Sequence, residues 1–161
     1  MTETELKLRD AATQMKIALR NPSDDEIFRS CVNSYISLAR SVTFVMQSES
    51  AAIPELKAWY DVEMGKLKES PLLRFFNEKR VYSIHKGVVT PIVHTVPIMN
   101  LRVNGSVYSG EGTMTIVRFE GAEKFFPGGS HNVFQLCEQY FIVLKELVGA
   151  WLRKRMELNI R

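Results

Sequence analysis

The sequence lacks most of the features that would assign it quickly to a class of protein. It has two cysteines, three histidines and two tryptophans in 161 residues. The N-terminal segment MTETELKLRD is polar and contains no apolar stretch, so we expect no secretory signal peptide. The longest purely apolar run is residues 141–144, far too short to cross a membrane as a helix. These absences predict a cytoplasmic protein that has no contact with a membrane.

Sequence motifs for cofactors and metals are also missing. Gly110 and Gly112 lie in a turn-forming segment and not between a strand and a helix, so they do not form a phosphate-binding loop. His85, His94 and His131 fall in three separate predicted elements, and the carboxylates do not cluster around them. We therefore expect neither a bound cofactor nor a metal site.

The two cysteines, Cys31 and Cys137, both fall on apolar helical stripes. Thiols in such positions, in a chain without an export signal, are typical of reduced core residues in the cytoplasm. We predict that both are buried and that neither acts as a catalytic nucleophile, since no histidine adjoins them in the sequence.

The bulk composition is that of one ordinary globular domain. Hydrophobic residues make up 45% of the chain and charged residues 24%, and the formal net charge is +3. This mild basicity permits an anionic partner without requiring one, since a strong nucleic-acid footprint is larger and more clustered.

Helical spacing of apolar residues recurs along most of the chain. Asn21-Pro22 ends the first segment, Pro71 opens the fourth, and Gly87 is suited to the position just after that helix. Asn132 and Gln135 resemble a capping box at the start of the last segment. The predicted helices cover residues 3–20, 24–47, 52–68, 70–87 and 132–157.

The pattern changes between the fourth and fifth predicted helices. Residues 88–119 are rich in β-branched and turn-forming residues, and Asn104-Gly105 is a strong two-residue hairpin signal. So small a hairpin is unstable alone, so we expect it to lie against the helices. The predicted fold class is mainly α: a single domain over 1–161, a bundle of about five helices with a small antiparallel β insertion at about 95–120.

A stripe of small polar residues runs along the second predicted helix: Ser30, Ser34, Ser37 and Ser41. Steps of four, three and four residues place them on one face, away from the apolar face. Two interpretations stay open. The stripe is either a solvated polar face or a close helix contact, for example across a dimer, because small side chains let backbones approach.

The stretch RFFNEKRVYSIHKG, residues 74–87, contains the one pattern that suggests chemistry. Arg80 and His85 are separated by four residues near the end of the fourth predicted helix. One interpretation is structural, because positive side chains interact favourably with the negative end of a helix dipole. The other follows from a resemblance: the spacing, and the helical setting, resemble the R-x4-6-H motif of the HEPN superfamily.

That resemblance implies a dimeric helical bundle and, in many members, a metal-independent endoribonuclease of toxin–antitoxin or phage-defence systems. Arg80 would stabilise charge on the phosphorane and His85 would transfer a proton, roles suited to their chemistry. Val81 departs from the polar residue that active members usually carry after the arginine. Since five residues turn a helix by about 140°, a homodimer would help to bring two copies of the motif together.

The predicted partners follow from the same resemblance. They are RNA, contacted by Arg74, Lys79 and Lys86, a second copy of the chain, and a protein partner such as an antitoxin. Two alternatives remain open. One is a non-catalytic dimeric scaffold module, and the other is a small-molecule-binding regulator with an apolar cavity between the hairpin and the bundle.

Overall fold

The computed structural model describes residues 1–103 and 106–160, with no description of the side chains of residues 98–111. This part of the chain forms five helices, with a two-stranded antiparallel hairpin before the last of them. The elements are α1 (Glu3–Arg20), α2 (Asp25–Ser50), α3 (Pro54–Leu67), α4 (Pro71–His85), β1 (Ile92–Val103), β2 (Ser106–Arg118), a short 3-10 turn (Ala122–Lys124) and α5 (Val133–Glu157). The predicted mainly α fold class, a bundle of five helices with an antiparallel hairpin before the last helix, is confirmed. The predicted turn at Asn104-Gly105 lies outside the described residues.

The ends of the helices follow the signals in the sequence. The Asp24 side chain accepts a hydrogen bond from the Ile27 N–H at 2.9 Å and caps α2. Asn132 caps α5 in the same way, accepting from the Gln135 N–H at 3.1 Å. In a capping box, the N–H of the capping residue donates to the side chain three positions later, which here is Gln135. The Asn132 N–H donates instead to Ser130 Oγ at 3.2 Å.

An aromatic cluster holds α4 against α2 and α5. The ring of Phe76 stacks on Tyr140 with centroids 4.4 Å apart, and it meets Phe75 edge-on at 5.2 Å. The buried Tyr35 hydroxyl donates to the Cys137 carbonyl at 2.6 Å and ties α2 to α5. Both phenylalanines are fully buried, so they are core residues and not a surface for stacking bases.

A second core region joins α2, α3 and α5. Trp151 is fully buried and donates its ring N–H to Ser50 Oγ at 2.9 Å, while Ser50 Oγ donates to the Met46 carbonyl at 2.7 Å. Every polar atom in this chain of bonds has a partner, which is what burial of a serine requires. The second region continues the bundle along the rest of α2.

The fourth helix differs from the prediction at its C-terminal end. Ile84, which continues the apolar pattern of this helix, is 52% exposed, whereas Phe75 is fully buried. The contacts of α4 with the core come from its first half, where the two phenylalanines insert. The predicted burial of Cys31 and Cys137 is confirmed, and both are free thiols.

Among the side chains that the structure describes, those of the hairpin that are buried against the bundle lie at its base. Its register runs from Ile92 opposite Arg118 to Val103 opposite Ser106, with an irregularity between Met99 and Leu101. Among the described side chains, Val117 in β2 and Phe119 just after it are almost fully buried, whereas Val96 is 38% and Met114 45% exposed. The expectation that the hairpin lies against the helices is therefore confirmed for its base. It is wrong for the described residues farther along the strands, such as Val96 and Met114, which are exposed.

Candidate nucleic-acid interface

A cationic pocket of about 240 Å³ opens between α2 and α4. Residues from four helices line it, and the aromatic cluster forms its floor through Tyr140. Three of the lining residues are cations and none is an acid. We call it the α2–α4 pocket; its lining consists of Arg40, Thr43, Met64, Lys68, Leu73, Arg74, Asn77 and Tyr140.

Arg40 is held in a fixed orientation at this pocket. Its Nε donates to the Asn77 Oδ1 at 3.2 Å, and its Nη1 donates to Thr43 Oγ1. The guanidinium carbon also lies 4.4 Å from the centre of the Phe44 ring. An arginine held by two hydrogen bonds and a cation–π contact loses little further freedom when an anion binds to it.

Lys68 and Arg74 are exposed, and the described residues offer neither side chain a hydrogen bond or an ion pair. The ion pairs found in the described structure all join lysines to acids one turn away on their own helix. They are Lys57–Asp61, Lys66–Glu63 and Lys154–Glu157. The two pocket cations are therefore not neutralised by any acid of the described chain.

Arg80 lies next to the pocket and is half-buried. Its guanidinium carbon is 5.2 Å from the centre of the Phe44 ring, so Phe44 has two arginines beside it. The Nε of Arg80 is buried and has no hydrogen-bond partner among the described residues. A buried donor without a partner is costly. Phe44 itself is 43% exposed.

Tyr140 presents a neutral hydroxyl at the floor of the pocket. Burial raises the pKa of Tyr140 to about 12, and the nearby Arg40 and Arg80 oppose that rise. The phenol thus stays protonated through the neutral range and adds no negative charge beneath the three cations.

The structure does not bring Arg80 and His85 together. Arg80 packs towards α2, whereas His85 is the exposed last residue of α4. Both lie on one regular helix, where five residues separate side-chain directions by about 140°. Within the described residues no hydrogen bond joins them. Their catalytic roles stay a prediction.

The three predicted RNA-contacting residues separate on the surface. Only Arg74 joins the α2–α4 pocket. Lys79 Nζ donates to the Glu120 carbonyl at 2.6 Å, and burial lowers the pKa of Lys79. It lies in a different pocket of about 550 Å³, together with Glu120 and other acids. Lys86 is the exposed residue that follows α4.

Sequence reasoning missed the other members of the pocket. Arg40 and Asn77 are 37 residues apart in the chain, and no local pattern links them. In the sequence, Lys68 is only one of several basic residues near Arg80 and His85. A signal for Phe44 was present, since it continues the serine stripe three residues after Ser41, but an aromatic residue on a helix is more often in the core.

A third pocket bears on the predicted small-molecule regulator. It has a volume of about 280 Å³ and lies where the start of α2 meets the base of the hairpin. Asp25 and Arg29 contribute to its lining together with Phe28 and Val93. Charged side chains of both signs make it a mixed pocket and not the apolar cavity that this alternative required.

Residues 1–103 match the family model of bacteriophage lambda protein ea47. The chain belongs to this family. The matched segment runs from α1 through β1 and contains every cation of the α2–α4 pocket as well as Arg80. No curated protein and no solved structure matches the chain. The pocket cations of this ea47 family member thus lie within the matched segment.

The resemblance to the HEPN superfamily is wrong. The family match covers Arg80 and His85, and the family is that of ea47. The R-x4-H spacing has a simpler explanation, because a basic residue near a helix C-terminus is favourable for electrostatic reasons alone. Val81, the departure from the motif, is an exposed apolar residue on α4.

Proposed function

We propose that this ea47 family member binds single-stranded nucleic acid, RNA foremost, through the α2–α4 pocket and the exposed Phe44 ring beside it. The observation that carries the proposal is a pocket lined by three cations and no acid, two of them without a partner in the described structure. Such a pocket attracts a phosphate.

The exposed aromatic ring favours a single strand over a duplex. Proteins that bind single strands combine a positive groove with rings on which unpaired bases stack. Phe44 has Arg40 and Arg80 beside it and is 43% exposed, so a base can reach it. The formal net charge of +3 is too small to account for the binding of a single strand by itself. The local arrangement supports the proposal.

Binding without cleavage fits the site better than ribonuclease chemistry. Cleavage needs groups that exchange protons near neutral pH beside the phosphate. Tyr140, with a pKa of about 12, does not titrate there, and His85 does not line the pocket. We therefore propose a binding protein, and an endoribonuclease or toxin activity is not part of the proposal.

The test is a fluorescence anisotropy titration of labelled single-stranded RNA, single-stranded DNA and duplex DNA at one low salt concentration. We compare wild type with the double variant Lys68→Ala/Arg74→Ala. The matched control is Lys57→Ala/Lys154→Ala, which removes the same charge from lysines that are ion-paired outside the pocket. All four side chains lie outside the buried core, so we expect every variant to fold.

We expect the pocket variant to bind single strands at least about tenfold more weakly, because it loses two charge-assisted phosphate contacts. The control variant should stay close to wild type. Equal weakening in both variants would mean that only total charge matters. Tighter binding of the duplex than of either single strand would contradict the role given to Phe44.

A dimeric interaction module is the second candidate, favoured by the exposed hairpin. The pairs Val96–Met114 and Ile92–Arg118 lie on one face of the ribbon, and Ile92, Val96 and Met114 are exposed. Two strands alone are marginally stable, and a second copy packing the same face would cover both ribbons. Light scattering of wild type and Val96→Lys tests this: a dimer that the variant converts to monomer supports it, and a wild-type monomer refutes it.

The location that we propose is the cytoplasm. In the described part of the chain, no helix combines the length and the apolar character needed to span a membrane. Cys31 and Cys137 are buried free thiols, which suits a reducing compartment. A protein partner such as an antitoxin stays a prediction without a specific surface assigned to it.

A further inference from the structure

We infer that the α2–α4 pocket takes a terminal phosphate monoester, the phosphorylated end of a strand, in preference to an internal phosphodiester. This inference rests on the proposed function and names the part of the strand that the pocket binds. Three features of the pocket carry it: its charge, the orientation of its donors and its size.

The charge of the pocket matches a monoester. A phosphate monoester carries about −1.5 to −2 at neutral pH, whereas each internal phosphodiester carries a single charge. Arg40, Lys68 and Arg74 face one pocket without an acid in its lining. Three cations around one internal phosphate would leave an excess of positive charge, and a dianionic end group reduces that excess.

The donors suit an end group with three free oxygens. Asn77 and Thr43 hold the guanidinium of Arg40 in place, which favours contact between a rigid arginine fork and phosphate oxygens. Lys68 and Arg74 have no partner among the described residues and come from two other elements, the end of α3 and the first turns of α4. Donors that converge from three elements can each contact a different oxygen.

The pocket is too small for a whole nucleotide. Its volume of about 240 Å³ is below the roughly 300–1,000 Å³ of typical small-molecule sites. A phosphate with part of its sugar fits that space. The base then lies outside, where Phe44 contacts the same Arg40 that lines the pocket. The pocket thus binds the phosphate of the terminal nucleotide, and the Phe44 ring contacts its base.

The experiment uses four probes with the 161-residue chain. Three are oligonucleotides of one sequence that carry a 5′-phosphate, a 3′-phosphate or hydroxyls at both ends. The fourth is a free nucleoside monophosphate used as a competitor. We expect one phosphorylated strand to bind at least about tenfold more tightly than the unphosphorylated strand, since the pocket gains charge-assisted contacts. The Lys68→Ala/Arg74→Ala variant should lose this preference, and Lys57→Ala/Lys154→Ala should keep it.

Each other outcome overturns a defined claim. Equal affinity of wild type for all three strands, with weaker binding by the pocket variant, overturns this inference and leaves the proposed function standing. No measurable binding of any strand overturns both. If Lys68→Ala/Arg74→Ala keeps the preference for a phosphorylated strand, the terminal phosphate binds outside the α2–α4 pocket and this inference is overturned. A free nucleotide that binds as tightly as the phosphorylated strand overturns the assignment to a strand end.

Discussion

The proposed interface makes a quantitative prediction about salt. Four cations, Arg40, Lys68, Arg74 and Arg80, line or adjoin the α2–α4 pocket. For a single strand, each neutralised phosphate charge contributes about −0.7 to the slope of log affinity against log salt. The pocket holds one phosphate group of about one to two charges, so the predicted slope is about −0.7 to −1.4. Between about 50 and 200 mM salt the affinity should then fall roughly threefold to sevenfold.

A single substitution should make that slope shallower. Arg74→Ala removes one of the cations that surround this phosphate, so the loss of affinity over the same range of salt should be smaller than for wild type. Arg74 is exposed and lies outside the core, so the change should not unfold the chain. The assay is fluorescence anisotropy of a labelled single-stranded RNA at several salt concentrations, with Lys57→Ala as the control for an exposed lysine outside the pocket.

Three results would refute the reasoning. A wild-type slope close to zero would mean that phosphates are not bound by these cations. A slope that Arg74→Ala and Lys57→Ala lower equally would mean that binding follows the total charge of the protein and not the pocket. A lower affinity with an unchanged slope would mean that Arg74 acts without contacting a phosphate.

Two further predictions concern the aromatic cluster under the pocket. Phe76→Ala removes a fully buried ring that stacks on Tyr140, so it should cost about 3–5 kcal/mol and lower Tm by roughly 6–20 °C in a circular dichroism melt; a smaller shift would contradict the close packing of this cluster. Burial raises the folded-state pKa of Tyr140 from 10.0 to about 12, so its contribution to stability is complete below pH 10.0 and is lost as pH rises towards 12. The free energy of unfolding, measured with urea, should therefore fall less for Tyr140→Phe than for wild type across that pH range. Equal falls in the two proteins would contradict the raised pKa of Tyr140.

Local patterns predicted the elements of this fold well. Caps such as Asp24 and Asn132 marked the starts of helices, and Pro71 marked another. These signals work because a cap or a proline acts within a few residues of itself in the chain. The β-branched composition before α5 likewise predicted the hairpin, although the strands begin earlier than expected, at Ile92.

Burial was predicted less well than the elements themselves. Ile84 continues the apolar pattern of α4 and is nevertheless exposed, because the core contacts of this helix lie in its first half. A pattern of apolar residues shows which face of a helix could be buried, and it does not show how far along the helix a neighbour extends. The Arg80–His85 spacing was misleading for a related reason, since spacing alone carries no information about what each side chain contacts.

The sequence by itself determined the five helices, the hairpin and the buried state of Cys31 and Cys137, since local spacing and capping act over short distances in the chain. Only the tertiary structure decided where the cations meet. Arg40 on α2, Lys68 at the end of α3 and Arg74 on α4 form one pocket because these helices pack together. Phe76 of α4 contacts Tyr35 of α2 and stacks on Tyr140 of α5, and the Tyr60 hydroxyl of α3 donates to the Thr43 carbonyl of α2. A site assembled from separate helices depends on packing contacts between residues far apart in the chain, and no local pattern encodes those contacts.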